Sequence, residues 1–364
     1  MATRILLLAD INSVHTQKWA IGLAKSGYKI GIFSFNGPES NWYKEYNIEC
    51  LHKPSIIKSS NKFLAKLAYI AFLPKVKAVI KEFRPDILHA HYASSYGLLG
   101  ALSGFHPYII SAWGTDVMKF PHINFITKQI IKYNLRSADS ICATSHTIEK
   151  HIHQLINKKV EVIPFGVDLT EFVRRKNFDR DDSVFTIGCT KALEKIYNIN
   201  ALILSFSELK QKFPIRKIRL VIVGDGSERE NLEKMVNELK LNADVVFEGK
   251  LSHAEVASKI NQFDVLVNLS EYESFGVSVV EAMACQIPVI VSDAEGLKEV
   301  VNNQNNGTIV SSSNIHQITN ALEKLMLNEE LRNRIGINAF ERVRNNYNWL
   351  SNLQQMIKVY NSVL

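Results

Sequence analysis

Two carboxylates and a glycine between them carry the chemistry that this sequence could perform. The carboxylates lie in Glu271-Tyr-Glu273-Ser-Phe-Gly276-Val-Ser-Val-Val-Glu281-Ala-Met-Ala-Cys-Gln-Ile-Pro288-Val-Ile-Val-Ser-Asp293, with seven residues separating Glu273 from Glu281. A polar loop here follows an apolar run at 265–269, and a helix is predicted to open near Gly276. The amino end of such a helix presents unpaired N–H groups and about half a positive charge, which suits an anion. A glycine there lets a ligand approach the backbone. Glu281 falls in Val-Val-Glu-Ala-Met-Ala, whose apolar flanks place the helix on a sheet, so its carboxylate needs a partner. Lys191 and Lys195 follow another strand-like run, in Thr190-Lys191-Ala-Leu-Glu-Lys195-Ile-Tyr197-Asn198. Taken alone, Glu273 fits a solvated loop and Glu281 a helix rim; the residues around them are what point to chemistry.

The elements that must position them are legible as an alternation. Short β-rich runs at 5–9, 29–34, 86–90, 108–112, 140–143 and 160–164 are interleaved with helix-length amphipathic segments. The same rhythm returns at 184–189, 218–223, 245–248, 265–269, 288–292 and 308–310. Such alternation predicts an α/β fold built of βαβ units with parallel sheets. Each half reads as a doubly wound sheet, which binds ligands beyond the carboxyl ends of its strands. A length of 364 residues suits a pair of domains. The expected division is an N-terminal domain at 1–168, a charged linker at 169–183, a C-terminal domain at 184–348 and a terminal helix at 349–364 that packs back across the seam.

Bulk properties narrow the class further. Hydrophobic residues at 46% and charged residues at 22% exclude a disordered or fibrous chain. No apolar run approaches the roughly 20 residues that cross a bilayer. The opening apolar stretch is too short for a signal peptide, so a cytoplasmic location is expected. The cysteines, Cys50, Cys142, Cys189 and Cys285, show no CxxC spacing that would suggest a zinc site or a disulfide framework. Residues 1–168 carry 20 Lys/Arg against 11 Asp/Glu, or +9, whereas the remainder carries 23 against 25, or −2. A basic half suggests contact with an anionic surface or substrate.

The long segment around Gly276 resembles the donor-site signature of family-4 (group 1) retaining glycosyltransferases. Its pattern is Glu-x-Phe-Gly-x-x-x-x-Glu-Ala-Met-Ala-x-x-x-Pro-Val-Ile. Val162-Ile-Pro-Phe-Gly-Val-Asp168, Val221-Ile-Val-Gly-Asp-Gly226, Phe247-Glu-Gly-Lys250 and the Trp349 helix follow the family order. The resemblance spans essentially the whole chain. It implies the GT-B fold, two Rossmann-like domains facing across a cleft. It also implies a nucleotide-diphosphate sugar donor (UDP- or GDP-linked) and transfer to a hydroxyl of a glycan or lipid-linked acceptor, as in cell-surface polysaccharide or glycolipid assembly. Under it, Glu273 holds the donor sugar and Glu281 the ribose. The backbone at Ser274, Phe275, Gly276 and Val277 meets sugar and diphosphate, and that at Lys250 and Leu251 meets the base. Gly224 and Gly226 permit close approach. Lys191 stands at the family's arginine and faces the diphosphate. Tyr197-Asn198 replaces the common Lys-Gly, a loss that Lys195 is expected to offset.

In the first half the resemblance is looser. Ser111-Ala-Trp113-Gly114-Thr115-Asp116 places Gly114 where many members have a histidine, and Asp116 is expected to make the polar sugar contact instead. His15, Gly114 and His91 are the acceptor-side candidates. His89-Ala-His91 puts two imidazoles on one strand face but offers no third zinc ligand, so a structural role is expected. Asp179-Arg-Asp181 looks like the metal motif of the other glycosyltransferase fold but sits in the linker, so no metal and no cofactor is expected. Lys58, Lys62 and Lys66, then Lys77 and Lys81, recur every four residues among apolar neighbours. A basic amphipathic Lys58–Lys81 region of this kind suits an anionic leaflet, and peripheral attachment is expected. No nucleic-acid motif accompanies the charge. A nucleotide-sugar epimerase of the same fold and a non-catalytic nucleotide-sugar binder are the rival readings.

Overall fold

The computed structural model describes residues 2–51, 69–175, 181, 183–302 and 304–364. Lys58, Lys62 and Lys66 therefore lie outside the described residues, as do Asp179 and Arg180. The chain divides into two compact units. One comprises Met1–Phe165 and Ser351–Leu364, the other Gly166–Leu350.

The first unit is built on β1 (Arg4–Leu8), β2 (Lys29–Phe33), β3 (Glu49–Cys50), β4 (Ile87–His91), β5 (Tyr108–Ala112), β6 (Ser140–Ala143) and β7 (Glu161–Val162). They form one parallel sheet in the order β3-β2-β1-β4-β5-β6-β7. The second unit repeats the plan with β8 (Phe185–Thr190), β9 (Ile218–Val223), β10 (Val245–Gly249), β11 (Val265–Asn268), β12 (Val289–Ser292) and β13 (Thr308–Val310). Its order is β10-β9-β8-β11-β12-β13, again all parallel. The two-residue β3 escaped the alternation because it is too short to show a period.

The central strands are apolar along their whole length because helices cover both faces of a parallel sheet. Ile5, Leu6, Leu7 and Leu8 are fully buried, as are Val265 and Leu266. The last helix, Trp349–Val363, returns its residues from Ser351 onward to the first unit. There the Tyr360 hydroxyl meets His89 Nδ1 at 2.7 Å, and Asn352 donates to the carbonyl of Pro164 at 3.0 Å.

In both sheets the strand order turns back between the first and fourth strands of the unit. Loops that leave such neighbouring strands in opposite directions open a crevice at their carboxyl ends. In the second unit those strands are β8 and β11.

Candidate active site

Lys191 directly follows β8, and the loop carrying Glu273 follows β11. The Lys191 ammonium and the Glu273 carboxylate form an ion pair, each side chain only 15% exposed. A largely buried charge is tolerated because each group satisfies the other. The ammonium also lies over the ring of Tyr197, 4.4 Å from its centroid, a cation–π contact. Tyr197, where the resemblance led us to expect a lysine, thus supplies a face for the cation already present. Lys195 lies outside this ion pair. It is exposed and lines a hollow with Glu194, Asn200, Glu228 and Asn231, none of which belongs to the glutamate loop.

Backbone bonds hold the two loops together. Glu271 N donates to Ile196 O at 2.9 Å, tying the β11 loop to the turn after Lys191. Asn268 Oδ1 accepts from Ser270 N and Ser270 Oγ, and Ser292 Oγ donates to Ser270 O. Gly296, in the short helix after β12, donates to Glu273 O at 3.1 Å. A Cβ there would sit 2.3 Å from the Ser274 carbonyl carbon, so this glycine seats the loop, a role that the sequence did not reveal.

Gly276 caps the helix Val277–Ala284 with φ +95°, in the left-handed region where glycine is favoured. Ser274 and Val277 are half-buried beside it and Phe275 is buried, its ring edge-on to Tyr347 at 5.4 Å. Glu281, one turn along the helix, is buried, and its Oε1 meets His253 Nε2 at 3.2 Å. The other ring nitrogen, Nδ1, lies 3.0 Å from Glu171 Oε1, and Phe172 packs edge-on against the ring. His253 is therefore the partner that Glu281 requires. This pairing is not legible in the sequence, because nothing local links a residue at the start of one helix with the middle of another.

The hydrogen bond to Glu281, followed by the charges of Glu281 and Glu171, raises the His253 pKa above its usual 6.5, against an opposing contribution from burial. Only the doubly protonated ring can donate to both carboxylates. A raised pKa means that this stabilisation is complete below pH 6.5 and is lost as pH climbs through the elevated value. We expect wild type to melt above His253→Gln at pH 6 by roughly 1–3 °C, a small gap because solvent screens the half-exposed imidazole. The gap should close as the buffer becomes alkaline. A gap that does not change with pH would show that the bridge contributes nothing.

Gly224 and Gly226 pack against the chain's own backbone. A Cβ on Gly224 would lie 1.9 Å from Lys191 O, and one on Gly226 would lie 2.5 Å from Leu193 O. The close approach they permit is to the chain's own backbone at 191–193, because the loops after β8 and β9 cross there. Lys250 and Leu251 sit between Gly249 (φ +72°) and the Ser252–Glu255 capping box that starts the next helix. They are exposed and half-buried respectively.

In the first unit, the loop after β5 gathers a cluster of rings. His15 stacks on Phe165 at 3.8 Å and meets Trp113 edge-on at 5.9 Å, and His91 lies 4.8 Å from Trp113. Burial lowers the His91 pKa well below its usual value, with the neighbouring His89 and His15 adding to the effect, and its buried Nδ1 has no hydrogen-bond partner among the described residues. Trp113 and Phe165 were not among the expected acceptor-side residues, although both stand in motifs already singled out. Asp116 needs correction. It is fully buried, and its carboxylate accepts from Ala93 N at 2.6 Å, Gly114 N at 2.8 Å and Trp113 N at 3.2 Å. It shapes the loop, with Gly114 at φ +147°, and its carboxylate is engaged by the backbone. His89, held by Tyr360 and by Ser111 Oγ at 2.8 Å, has its pKa lowered by burial to about 3 and stays neutral.

With this geometry in place, comparison with known proteins is decisive about family. Residues 170–342 match the family described as "Glycosyl transferases group 1", and residues 4–145 match "Glycosyl transferase 4-like". Together these cover most of the chain. The protein belongs to the group 1 glycosyltransferases. Among its relatives is N-acetyl-alpha-D-glucosaminyl L-malate synthase of Bacillus anthracis, 25% identical over 311 residues, covering 81% of this chain and 79% of that protein. Sucrose-phosphate synthase of Thermosynechococcus elongatus shares the fold with a TM-score of 0.85 at 20% identity, covering 99% of this chain and 98% of that one. Anabaena HepE, solved with UDP and glucose, gives 0.79 at 17% identity, over 99% and 100% of the two chains.

The glycosyltransferase thus has the GT-B fold, with two parallel-sheet α/β units. Among its described residues no helix is long and apolar enough to cross a membrane, and no group of three or more His, Cys, Asp or Glu is placed to hold a metal ion. Its four cysteines are all unpaired.

Proposed function

We propose that this glycosyltransferase moves a sugar from a nucleotide-diphosphate donor to a hydroxyl of a glycan or lipid-linked acceptor, with retention at the anomeric carbon. The observation that carries this reading is the Lys191–Glu273 pair, placed where the β8 and β11 loops diverge and three residues before the helix mouth at Gly276. The diphosphate docks at that mouth, taking N–H groups of the first helical turn, and Lys191 turns from Glu273 to the leaving oxygens. Positive charge aimed at the departing diphosphate lowers the barrier. Glu273, released, orients the donor sugar by its hydroxyls, while Glu281 takes the ribose hydroxyls with the oxygen not engaged by His253.

The bond between the anomeric carbon and the diphosphate oxygen breaks, and the acceptor oxygen bonds to the same face of that carbon. The acceptor proton passes to the departing diphosphate. This front-face route supports retention without a covalent intermediate, since Glu273 is committed to hydroxyls. The half-buried rings of His15 and Trp113, backed by the buried His91, receive the acceptor. The UDP complex of HepE makes UDP-sugars the first donors to try.

A panel of UDP- and GDP-sugars tested by thermal shift, followed by product analysis with the stabilising donor, tests the reading directly, since a bound donor raises the melting midpoint. Lysine and helix dipole balance the diphosphate charge in this proposal. Transfer is therefore expected to continue undiminished in excess EDTA, and a strict requirement for added Mg2+ or Mn2+ would contradict it. Conversion of donor in the absence of acceptor would identify an epimerase instead.

A further inference from the structure

The first unit carries an apolar surface that its own packing does not use. The helix Phe125–Ser137 buries Thr127, Ile131, Asn134 and Leu135 on its inner side. Its outer side is also apolar. Phe125 is 74% exposed, Ile126 54% and Tyr133 46%, and Ile123 in the preceding turn is 61% exposed. Ile126, half-buried Ile130 and Tyr133 recur at helical spacing and form a stripe, and a capping box of Asn124 and Thr127 holds the amino end that presents Phe125.

The charge around this stripe has one sign. Lys119, Lys128, Lys132 and Arg136 belong to the turn and the helix. From Ile87 to Ala138 the only acidic residue is Asp116, which is fully buried. The helix Ser95–Ser103 and the turn Phe120–His122, which pack against this helix, contribute no acid. Asp139, just beyond, is held by His106 Nδ1 and Tyr108 N. Protruding aliphatic and aromatic side chains beside the row of Lys128, Lys132 and Arg136 match the headgroup zone of an anionic bilayer, which takes apolar side chains below and cations at its plane.

We propose that the helix Phe125–Ser137 and its leading turn dock this protein on an anionic lipid surface. This inference goes beyond the transfer reaction and does not depend on it. It also differs in place from the expected Lys58–Lys81 region, of which 58–68 lie outside the described residues.

The full-length protein is to be sedimented with phosphatidylcholine vesicles, with and without phosphatidylglycerol. Wild type is expected to partition onto the anionic vesicles only. A Phe125→Ser, Ile126→Ser double variant should lose about tenfold in partitioning. A Lys128→Glu, Lys132→Glu variant should lose the preference for anionic lipid. Melting midpoints and UDP affinity measured on each variant separate folding and donor binding from docking. Unchanged partitioning of the Phe125/Ile126 variant, equal binding to neutral vesicles, or no binding to either would overturn the proposal. So would a wild-type dimer that the same double variant dissolves, since the stripe would then cover a second copy. A protein that docks as described but binds no nucleotide would overturn the transfer reading alone.

Discussion

Glu273→Gln is expected to bind UDP about as well as wild type, or slightly better, while turning over on the order of 10²–10³-fold more slowly. The asymmetry follows from the ion pair. Glutamine keeps the shape and leaves Lys191 near an amide oxygen, so the cation is more readily released to a diphosphate. What disappears is the charged acceptor for the donor sugar's hydroxyls, a contact that matters most as positive charge develops at the anomeric carbon. Loss of one preorganised electrostatic contact costs about that factor in turnover. Single-turnover rates beside calorimetric UDP affinity will separate the two effects, and near-wild-type turnover would remove Glu273 from the chemistry. Lys191→Ala should show the reverse pattern in binding. One charge-assisted hydrogen bond is worth about 1.5–3 kcal/mol, so UDP should weaken by roughly 10- to 150-fold and uridine hardly at all.

The second large effect concerns a residue packed against the chain's own backbone. Gly224→Ala would drive a methyl to within 1.9 Å of Lys191 O at a φ of +137°. The atom it meets is backbone, anchored by Lys191 N donating to Val223 O at 3.0 Å and Gly224 N donating to Gly249 O at 2.8 Å. Neither strand end can yield without breaking the ladder beside it. We expect a loss of at least about 3 kcal/mol, seen as a fall of roughly 6–12 °C in the melting midpoint, with UDP affinity reduced because Lys191 is displaced. Gly27→Ala is the control. Its φ of +92° carries similar backbone strain, but among the described residues nothing lies within 4 Å of the added atom. If the two variants melt together, the crossing of the loops after β8 and β9 is not what Gly224 serves.

Much of this molecule was legible before its coordinates. All twelve expected strands are present to within two residues at either end, because buried parallel strands are continuous apolar runs between turn residues. The helix mouth at Gly276 was equally readable, since a strand, a polar loop and a glycine before an apolar helix are all local signals. Asp116 was misread for a related reason. A carboxylate after a strand looks available in sequence, and only the fold shows three backbone N–H groups already converging on it.

The linear pattern by itself determined the α/β class, the two-part organisation and the spacing of Glu273, Gly276 and Glu281 along one loop and helix. Tertiary structure alone decided the partners: Lys191 with Glu273 across 82 positions, Glu281 with His253, and Gly224 against the backbone of Lys191. The physical reason is that periodicity records which face of an element is buried. Which charges meet depends instead on which parallel strands end side by side, and that order is set by the crossovers of the whole sheet.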